Sequence, residues 1–432
     1  MSFLNQFTQY EEYAPPGVLL PSLEILPKYY KNLDLSEDVS NFDFLRKLCM
    51  DGVKRKGIDK FKNKKIYYER VKEELTILKD LGFIDYILLN WDILNFCHEN
   101  KIPTGPGRGS AAGCLVLFLI DVTKVDPIRH ELFFARFVSK SRARKINKNG
   151  ITYLDGSLLA DVDNDIAYEH RQTVIHYIEQ KHPGRTANIL TLNTLSSKLC
   201  IKECGKIVGG FTEEEVNDLS SCVPKKYGKV APLSDCYSDS SKFQEWADSN
   251  PQVFSIAQKI EGLNKNTGVH PSGIAISNRE MSEICPMQRT PEGNLITGYD
   301  MNWVAELMVK FDILGLRTLS VIYDVCDTLD IDIYNVDLND VEIYKPLQNL
   351  ENPHGLFQIE AETNFRVCQK IKPKSIEELS AVIAIARPGA LEFADSYAEY
   401  VKTSNFQSIH PFFDDVLDYT GGIPLYQEQL MK

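Results

Sequence analysis

Residues 159–175 read LADVDNDIAYEHRQTVI, and this stretch decides how the rest of the chain is interpreted. Side chains of an extended strand alternate between two faces, so Asp161, Asp163 and Asp165 would share one face. Like charges at that spacing repel one another, which leaves two interpretations: a solvated edge strand, or a site that holds a cation. Proteins bind Mg²⁺ through one or two carboxylates together with substrate phosphates, so the second interpretation is a metal-dependent phosphoryl-transfer site. A short acidic run alone does not decide between them.

Composition limits the class of protein. The chain has 432 residues, enough for about two to four domains, and its 43% hydrophobic and 25% charged residues are typical of a globular protein. The net charge of −12 argues against a general coat of positive charge, but local basic stripes and metal ions can still bind nucleic acid. The ten scattered cysteines are expected to be reduced thiols of an intracellular protein. We expect no signal peptide, because the N-terminus has no basic start followed by an apolar run, and no membrane span, because no apolar run reaches ~18 residues.

Apolar periodicity predicts the helical parts of the chain. The first forty or so residues are broken by prolines and are expected to be an extended lead-in. Apolar residues spaced by three or four predict an amphipathic helix over 67–81 with Gly82 as its C-cap. The apolar stretch 83–97 predicts a buried helix, and residues 318–432 are expected to be mostly helical.

A glycine-rich turn, GPGRGSAAG, occupies residues 105–113. Glycines free the backbone for unusual turns, Arg108 would place a guanidinium in the loop, and Ser110 would open an apolar helix from Ala111. A helix N-terminus directs N–H groups and the helix dipole at phosphate, so the alternatives are an anion site and a plain tight turn. The turn is neither a Walker loop nor a dinucleotide fingerprint, because no Gly-Lys-Ser/Thr ends it and no parallel βαβ unit surrounds it.

Two basic segments flank the acidic run. Residues 136–154 contain six basic and no acidic residues, and Asn149-Gly150 predicts a two-residue hairpin turn, hence a basic β-ribbon. Further on, a predicted helix carries lysines every four residues on one face. Both segments either contact a phosphate backbone or are solvated. The residues concerned are Arg142, Arg144, Lys145, Lys198, Lys202 and Lys206.

A second predicted strand lies in the segment LMVKFDILGLRTL. Alternation from Val309 puts Lys310 and Asp312 on one side of the strand, and Gly315 would end it before a helix. A Lys-x-Asp pair is most often a surface ion pair, and His270, in the glycine-rich turn GVHPSG, is interpreted as structural. Three carboxylates from two predicted strands, together with a turn able to bind phosphate, could nevertheless hold two Mg²⁺ ions. Two such ions support an in-line displacement at a phosphoryl group that releases pyrophosphate.

Eight motifs resemble, in order and approximate spacing, those of the bacterial C-family replicative polymerases, the DNA polymerase III alpha subunits. They are GPGRGSAAG, DPIRHELFFARF, LADVDNDI, GVHPSGIAIS, LMVKFDILGLRTL, GLFQIE, ARPGAL and YQEQLM. The resemblance covers nearly the whole chain from about Phe42. It implies a mixed α/β fold, with a palm of the polymerase beta-like nucleotidyltransferase type and largely helical thumb and fingers. The implied domains are a lead-in with the first part of the palm (1–190), a thumb (191–267), a second part of the palm (268–317) and incomplete fingers (318–432).

The resemblance also implies an activity and residue roles. The activity is template-directed DNA synthesis, in which two Mg²⁺ ions support nucleotidyl transfer from a dNTP to a primer 3′-hydroxyl with release of pyrophosphate. Asp161, Asp163 and Asp312 match the catalytic metal-binding aspartates, and Asp165 matches a supporting acid. The three lysines from Lys198 to Lys206 lie where the thumb meets duplex DNA. Positions suited to the incoming nucleotide and its phosphates are Arg108, Gly109, Ser110, Arg136, Lys310 and Arg387.

Departures from the family pattern bear on partners. Ala160 stands where the family usually has a proline, and the basic ribbon before Asp161 is longer than the family's usual connection. No segment resembles the usual N-terminal PHP (polymerase and histidinol phosphatase) domain. The motif YQEQLMK, at the end of the sequence, lies within the family's fingers, so we expect a truncated chain or a second polypeptide that completes the enzyme. We expect the protein in the cytoplasm of a bacterial or phage-infected cell, since the small size suggests a phage or mobile-element polymerase. The alternative is a noncatalytic DNA-binding or scaffold subunit.

Overall fold

The computed structural model describes residues 16–139, 144–156, 159–226, 229–291, 293–406 and 408–432. The chain divides into two units, which we describe separately. Unit 1 comprises the chain up to Thr191 together with Val269–Ile331, and unit 2 comprises Leu192–Gly268 and Asp332–Lys432. The domain boundaries expected from the sequence remain predictions.

Ten strands occur among the described residues. They are Lys145–Lys148 (β1), Ile151–Leu154 (β2), Asp163–Ala167 (β3), Thr186–Thr194 (β4), Lys225–Lys226 (β5), Lys229–Val230 (β6), Asn264–Ile276 (β7), Met287–Arg289 (β8), Leu295–Asp300 (β9) and Val309–Leu316 (β10).

The α-helices run along the whole described chain. They are Pro27–Asn32 (α1), Asn41–Arg55 (α2), Lys64–Leu81 (α3), Ile84–Glu99 (α4), Leu115–Leu119 (α5), Phe134–Phe137 (α6), Arg171–Lys181 (α7), Ser197–Ile207 (α8), Glu213–Ser221 (α9), Leu233–Asp239 (α10), Ser241–Ser249 (α11), Pro251–Ile260 (α12), Met281–Ile284 (α13), Met301–Leu307 (α14), Arg317–Leu329 (α15), Lys345–Gln348 (α16), Glu362–Ile371 (α17), Ile376–Ile385 (α18), Ala394–Thr403 (α19), Pro411–Leu417 (α20) and Gln427–Met431 (α21).

A six-stranded mixed sheet with the strand order β3-β10-β7-β4-β9-β8 organises unit 1. Strand β10 is parallel to β3 and antiparallel to β7, and β4 is parallel to β9. Neighbouring residues of β7 belong to different cores: Ile274 and Ile276 pack with α4 residues such as Ile87, whereas Ala275 packs with Ile189 and Val304. Since side chains alternate along a strand, both faces of the sheet are covered. The predicted mixed α/β fold is confirmed.

Several local predictions are confirmed because neighbours along the chain decide them. Helix α3 buries Val71, Leu75 and Leu78 on one face and ends at Gly82, whose φ of 76° suits a glycine. The buried helix predicted over 83–97 is α4. Strands β1 and β2 pair as an antiparallel hairpin, with Asn149 at φ 53° and Gly150 at φ 77° in the turn.

Three expectations about the motif segments need correction. The helix predicted from Ala111 is a 3₁₀ turn, Gly109–Gly113, which the extended residue Cys114 separates from the five-residue α5. Strand β10 does not end at Gly315 but continues to Leu316, because both residues stay in the parallel ladder with β3. The strand that carries the acidic run begins only at Asp163, so Asp161 precedes it by two residues.

Unit 2 contains two separate cores. One lies among α8–α12 and includes Ile201, Leu233 and Phe243. The other lies among α16–α19 and includes Val382 and Tyr397. In the parts of the chain that the structure describes, no helix combines the length and the apolar character that crossing a membrane requires. All ten cysteines are free thiols, as predicted.

Candidate metal and nucleotide site

Three carboxylates from distant parts of the sequence meet at the parallel pair of β3 and β10. Asp163 is the direct register partner of Asp312, and Asp161 comes just before β3. One carboxylate oxygen from each of the three lies within 4.8 Å of the other two. Along β10 the neighbouring Phe311 is buried in the core, so alternation directs the Asp312 carboxylate to the opposite face of the sheet. The structure therefore brings together the three predicted site aspartates.

Besides pairing with β10, strand β3 is held by helix α4 and by the glycine-rich turn of residues 105–113. The buried amide Nδ2 of Asn164 donates a hydrogen bond of 3.0 Å to Asn90 Oδ1 of α4. On the strand edge, the backbone N–H of Gly105 donates to Asp165 O at 2.9 Å. A Cβ atom at position 105 would lie only 2.8 Å from Asp165 Cβ, which explains the glycine. The glycine-rich turn is thus attached directly to the acidic strand.

Arg108 of this turn offsets part of the negative charge of the acidic run. Its Nη2 lies 3.0 Å from Asp165 Oδ1, and its Nε lies 3.7 Å from Asp163 Oδ2. Asp165 is only 8% exposed, and burial raises its pKa against the opposing charge of Arg108. The Nε atom of Arg108 is buried and has no hydrogen-bond acceptor among the described residues. The guanidinium is therefore directed at the two carboxylates of Asp163 and Asp165.

Lys310 provides the second cation of the site. Its Nζ lies 2.7 Å from Asp312 Oδ2, as the alternation along β10 predicted. Burial alone would lower the pKa of Lys310, but the hydrogen bond to Asp312 and the charges of Asp312 and Asp161 raise it. Although Asp161 is exposed as a residue, limited hydration of its carboxyl group raises its pKa, and the charges of Asp312 and Asp163 add to this. The site thus carries mutually repelling carboxylates that a cation would stabilise.

The three carboxylates fit a hard divalent cation. Mg²⁺ binds oxygen at about 2.0–2.1 Å, so two oxygens on one ion lie at most about 4.2 Å apart, and paired metal ions lie about 3.5–4 Å apart. Oxygens within 4.8 Å of one another need only small side-chain rotations to reach either arrangement. Carboxylate oxygen is also the donor that Mg²⁺ prefers over nitrogen or sulfur. Asp161, Asp163 and Asp312 are therefore a candidate metal centre.

Of the other predicted nucleotide-binding residues, some adjoin the carboxylates and others lie elsewhere in the chain. A Cβ atom at Gly109 would be 3.9 Å from Asp163 Oδ2, so this residue and the neighbouring Ser110 adjoin the carboxylates. Arg136 is half-buried in α6, a helix that packs against the Gly109–Gly113 turn. Arg387 is exposed in the turn after α18 and belongs to unit 2.

The predicted DNA-contacting residues that the structure describes are on helix α8 and the β1–β2 hairpin. Lys198, Lys202 and Lys206, which we call the α8 lysine stripe, share one helix face because they are four residues apart. Lys206 is paired with Glu213 at 2.9 Å, which reduces the positive charge of the stripe.

On the hairpin, Arg144 precedes β1 and Lys145 begins it, and both residues are exposed. Arg142 lies outside the described residues.

Sequence reasoning missed two polar residues of the site. Ser272 Oγ donates a hydrogen bond of 3.2 Å to Asp312 Oδ1. His270, interpreted as structural, accepts the backbone N–H of Gly273 at its Nδ1, at 2.7 Å. The polar residues of GVHPSG, which lie within β7 just before its apolar end, were the available signal, but periodicity does not show that β7 lies next to β10.

Comparisons with known proteins identify the family. The family model described as the bacterial DNA polymerase III alpha NTPase domain matches residues 43–315, and the model for the alpha subunit finger domain matches 318–432. The chain is 31% identical over 404 residues to DNA polymerase III subunit alpha of Bacillus subtilis strain 168, covering 90% of this chain and 34% of that protein. It is 30% identical over 451 residues to the Aquifex aeolicus subunit, covering 95% of this chain and 37% of that protein.

A third relative, from Staphylococcus aureus strain COL, is 29% identical over 443 residues, covering 99% of this chain and 40% of that protein. The chain thus spans between a third and two fifths of the length of these curated relatives. The family models cover both halves of the sequence, as the eight motifs predicted. The chain therefore belongs to the bacterial DNA polymerase III alpha family.

Proposed function

We propose that this chain carries out the nucleotidyl-transfer step of template-directed DNA synthesis, as the N-terminal part of a C-family DNA polymerase. The observation that carries the proposal is the convergence, within 4.8 Å of one another, of Asp163 on β3, Asp312 on β10 and Asp161 just before β3. The region matched by the polymerase family model contains all three residues. The alternative, a noncatalytic scaffold subunit, has no need for such a group.

In this proposal Asp161, Asp163 and Asp312 hold two Mg²⁺ ions. Bound there, the ions would lower the pKa of the primer 3′-hydroxyl and stabilise the charge on the departing pyrophosphate. Asp165 supports the site by holding Arg108 close to it. Because proteins bind hard cations through few carboxylates plus substrate phosphates, the incoming triphosphate would supply further oxygen ligands.

Cationic and backbone donors near the aspartates would bind the dNTP phosphates. The guanidinium of Arg108 lies beside Asp163 and Asp165, and the Gly109–Gly113 turn adjoins the carboxylates. Charge-assisted hydrogen bonds of this kind are roughly twice as strong as neutral ones. The residues proposed for this role are Arg108, Gly109, Ser110, Arg136 and Lys310. Arg387 of unit 2 is proposed separately to contact the incoming nucleotide.

Primer-template DNA would lie along the basic surfaces of the chain. We assign phosphate contacts to the α8 lysine stripe, to Arg144 and Lys145 of the β1–β2 hairpin, and, from the sequence alone, to Arg142. These contacts would be independent of base sequence, because lysine and arginine bind the backbone as charges.

We also propose that a second polypeptide completes the enzyme in the bacterial cytoplasm. Leu430 is 79% exposed and Phe412 is 78% exposed, which leaves apolar surface for a partner, whereas Leu425 packs against the neighbouring core. Copurification followed by mass spectrometry tests for this partner.

Primer extension tests the catalytic proposal. The chain, with its copurified partners, is assayed with Mg²⁺, dNTPs and a primer-template, alongside Asp161→Asn, Asp163→Asn and Asp312→Asn. Each substitution removes a hard-cation ligand and should lower incorporation by roughly 100-fold or more, while DNA binding stays within about twofold. The control Asp38→Asn changes an exposed aspartate of the same unit and should retain full activity. A wild-type complex that binds DNA but never extends a primer would favour the scaffold subunit.

A further inference from the structure

Both carboxylate oxygens of Asp312 are engaged by neighbouring side chains. Oδ1 accepts the hydrogen bond of 3.2 Å from Ser272 Oγ, and Oδ2 lies 2.7 Å from Lys310 Nζ. Ser272 is 6% exposed and Asp312 is 5% exposed, so water competes little for these contacts. Two donors on opposite oxygens fix the orientation of the carboxylate more strongly than either donor alone.

His270 in turn fixes the position of Ser272. Its Nδ1 accepts the backbone N–H of Gly273 at 2.7 Å and lies 3.3 Å from the backbone N of Ser272. The segment therefore folds back on the imidazole of His270. Position 273 tolerates this only as glycine, because a Cβ atom there would lie 2.9 Å from His270 Nδ1 and 3.1 Å from Ile189 Cδ1.

The Ser272 hydroxyl has one proton and two acceptors within reach. His270 Nδ1 lies 3.4 Å from Ser272 Oγ, and Asp312 Oδ1 lies 3.2 Å from it. The histidine nitrogen already accepts the Gly273 N–H, and a carboxylate is the stronger acceptor. The hydroxyl proton is therefore directed at Asp312.

We propose that Ser272 and His270 are positioning residues that hold Asp312 in its metal-binding orientation. The inference rests on the proposed function in taking Asp312 as a metal ligand. Asp161 and Asp163 repel the Asp312 carboxylate, since oxygens of the three groups lie within 4.8 Å. The hydrogen bond from Ser272 offsets this repulsion on the oxygen that Lys310 does not hold, and His270 keeps the Ser272 hydroxyl in place.

Binding of Mn²⁺ to the full chain without DNA or nucleotide tests this directly, with free Mn²⁺ measured by electron paramagnetic resonance. Loss of a hydrogen bond to a metal ligand typically weakens metal affinity roughly 10–100-fold. We expect that loss for Ser272→Ala and for His270→Phe, which lacks the acceptor. Ser272→Thr retains a hydroxyl and His270→Asn retains an acceptor near the Nδ1 position, so both should bind Mn²⁺ within about threefold of wild type.

The matched control is Ser277→Ala, which removes a buried hydroxyl just beyond β7 that bonds to Arg279 O rather than to an aspartate. Mn²⁺ affinity that is unchanged in both Ser272→Ala and His270→Phe would overturn the positioning role. A loss in Ser272→Thr as large as in Ser272→Ala would also overturn it, because the hydroxyl would then be irrelevant. The proposed function is tested separately: if Asp312→Asn binds Mn²⁺ as tightly as wild type does, Asp312 is not a metal ligand.

Discussion

Replacing Glu74 by alanine should destabilise unit 1 and displace the glycine-rich turn. Glu74 is fully buried on α3, where Oε1 lies 2.7 Å from Arg70 Nε and Oε2 accepts the backbone N–H of Val116 at 2.9 Å. Arg70 Nη2 donates to Gly113 O at 2.8 Å and to Leu132 O at 3.0 Å. This ion pair therefore ties α3 to the end of the 3₁₀ turn that adjoins the aspartates.

The size of the effect follows from the burial of the pair. Removing one partner of a buried ion pair costs about 3–5 kcal/mol, because the other charge is left without compensation. For a unit of some 250 residues, each kcal/mol lowers the melting temperature by about 2–4 °C. Glu74→Ala should therefore lower the melting temperature of unit 1 by about 6–20 °C. The double variant Arg70→Met with Glu74→Leu removes both charges but leaves the backbone groups of Val116, Gly113 and Leu132 without these partners, so it should recover only part of this loss.

Differential scanning calorimetry of the full chain at pH 7 measures the effect. The matched control is Glu73→Ala, which changes the neighbouring but exposed glutamate of α3 and should alter stability by no more than about 0.5 kcal/mol. If Glu74→Ala and Glu73→Ala melt at the same temperature, the buried ion pair does not stabilise the fold as we infer.

Three further predictions concern DNA binding, acid stability and the glycine turn. Replacing the α8 lysine stripe with alanines should flatten the salt dependence of DNA binding by about 0.9 for each DNA phosphate that is no longer neutralised, and an unchanged slope would show that these lysines are only solvated. Burial lowers the pKa of His182 to about 4, against about 6.5 when unfolded, so the unfolded state takes up this proton at a higher pH than the folded state does. The contribution of His182 to the free energy of unfolding is therefore complete above pH 6.5 and is lost as the pH falls. By pH 5 the loss is about 2 kcal/mol, and His182→Gln should flatten the melting-temperature profile between pH 7 and 5, unlike the exposed His176→Gln. Gly105→Ala should lower both thermal stability and Mn²⁺ affinity, because the added Cβ meets Asp165 Cβ at 2.8 Å, whereas Gly389→Ala meets nothing within 4 Å and should match wild type in both measurements.

Elements that depend on neighbours along the chain were predictable from sequence. The spacing of Val71, Leu75 and Leu78 identified α3, and the Asn149-Gly150 pair identified the hairpin, because helix periodicity and turn chemistry act over a few residues. The alternation along β10 correctly paired Lys310 with Asp312 for the same reason. Collinear motifs then identified the family, since several spaced matches are far more specific than one.

Contacts between residues far apart in the chain were decided only by the tertiary structure. The apolar run after Ser110 hid the break at Cys114, because residues on both sides of it are buried and the pattern of burial shows no change there. Sequence periodicity reveals which face of a strand a residue occupies but not which strand lies beside it. The alignment of Asp163 with Asp312, and the bond from Ser272 to Asp312 forty residues away, follow from the order of strands in the sheet. Local sequence therefore determined the strand and its polar face, and strand pairing determined the site.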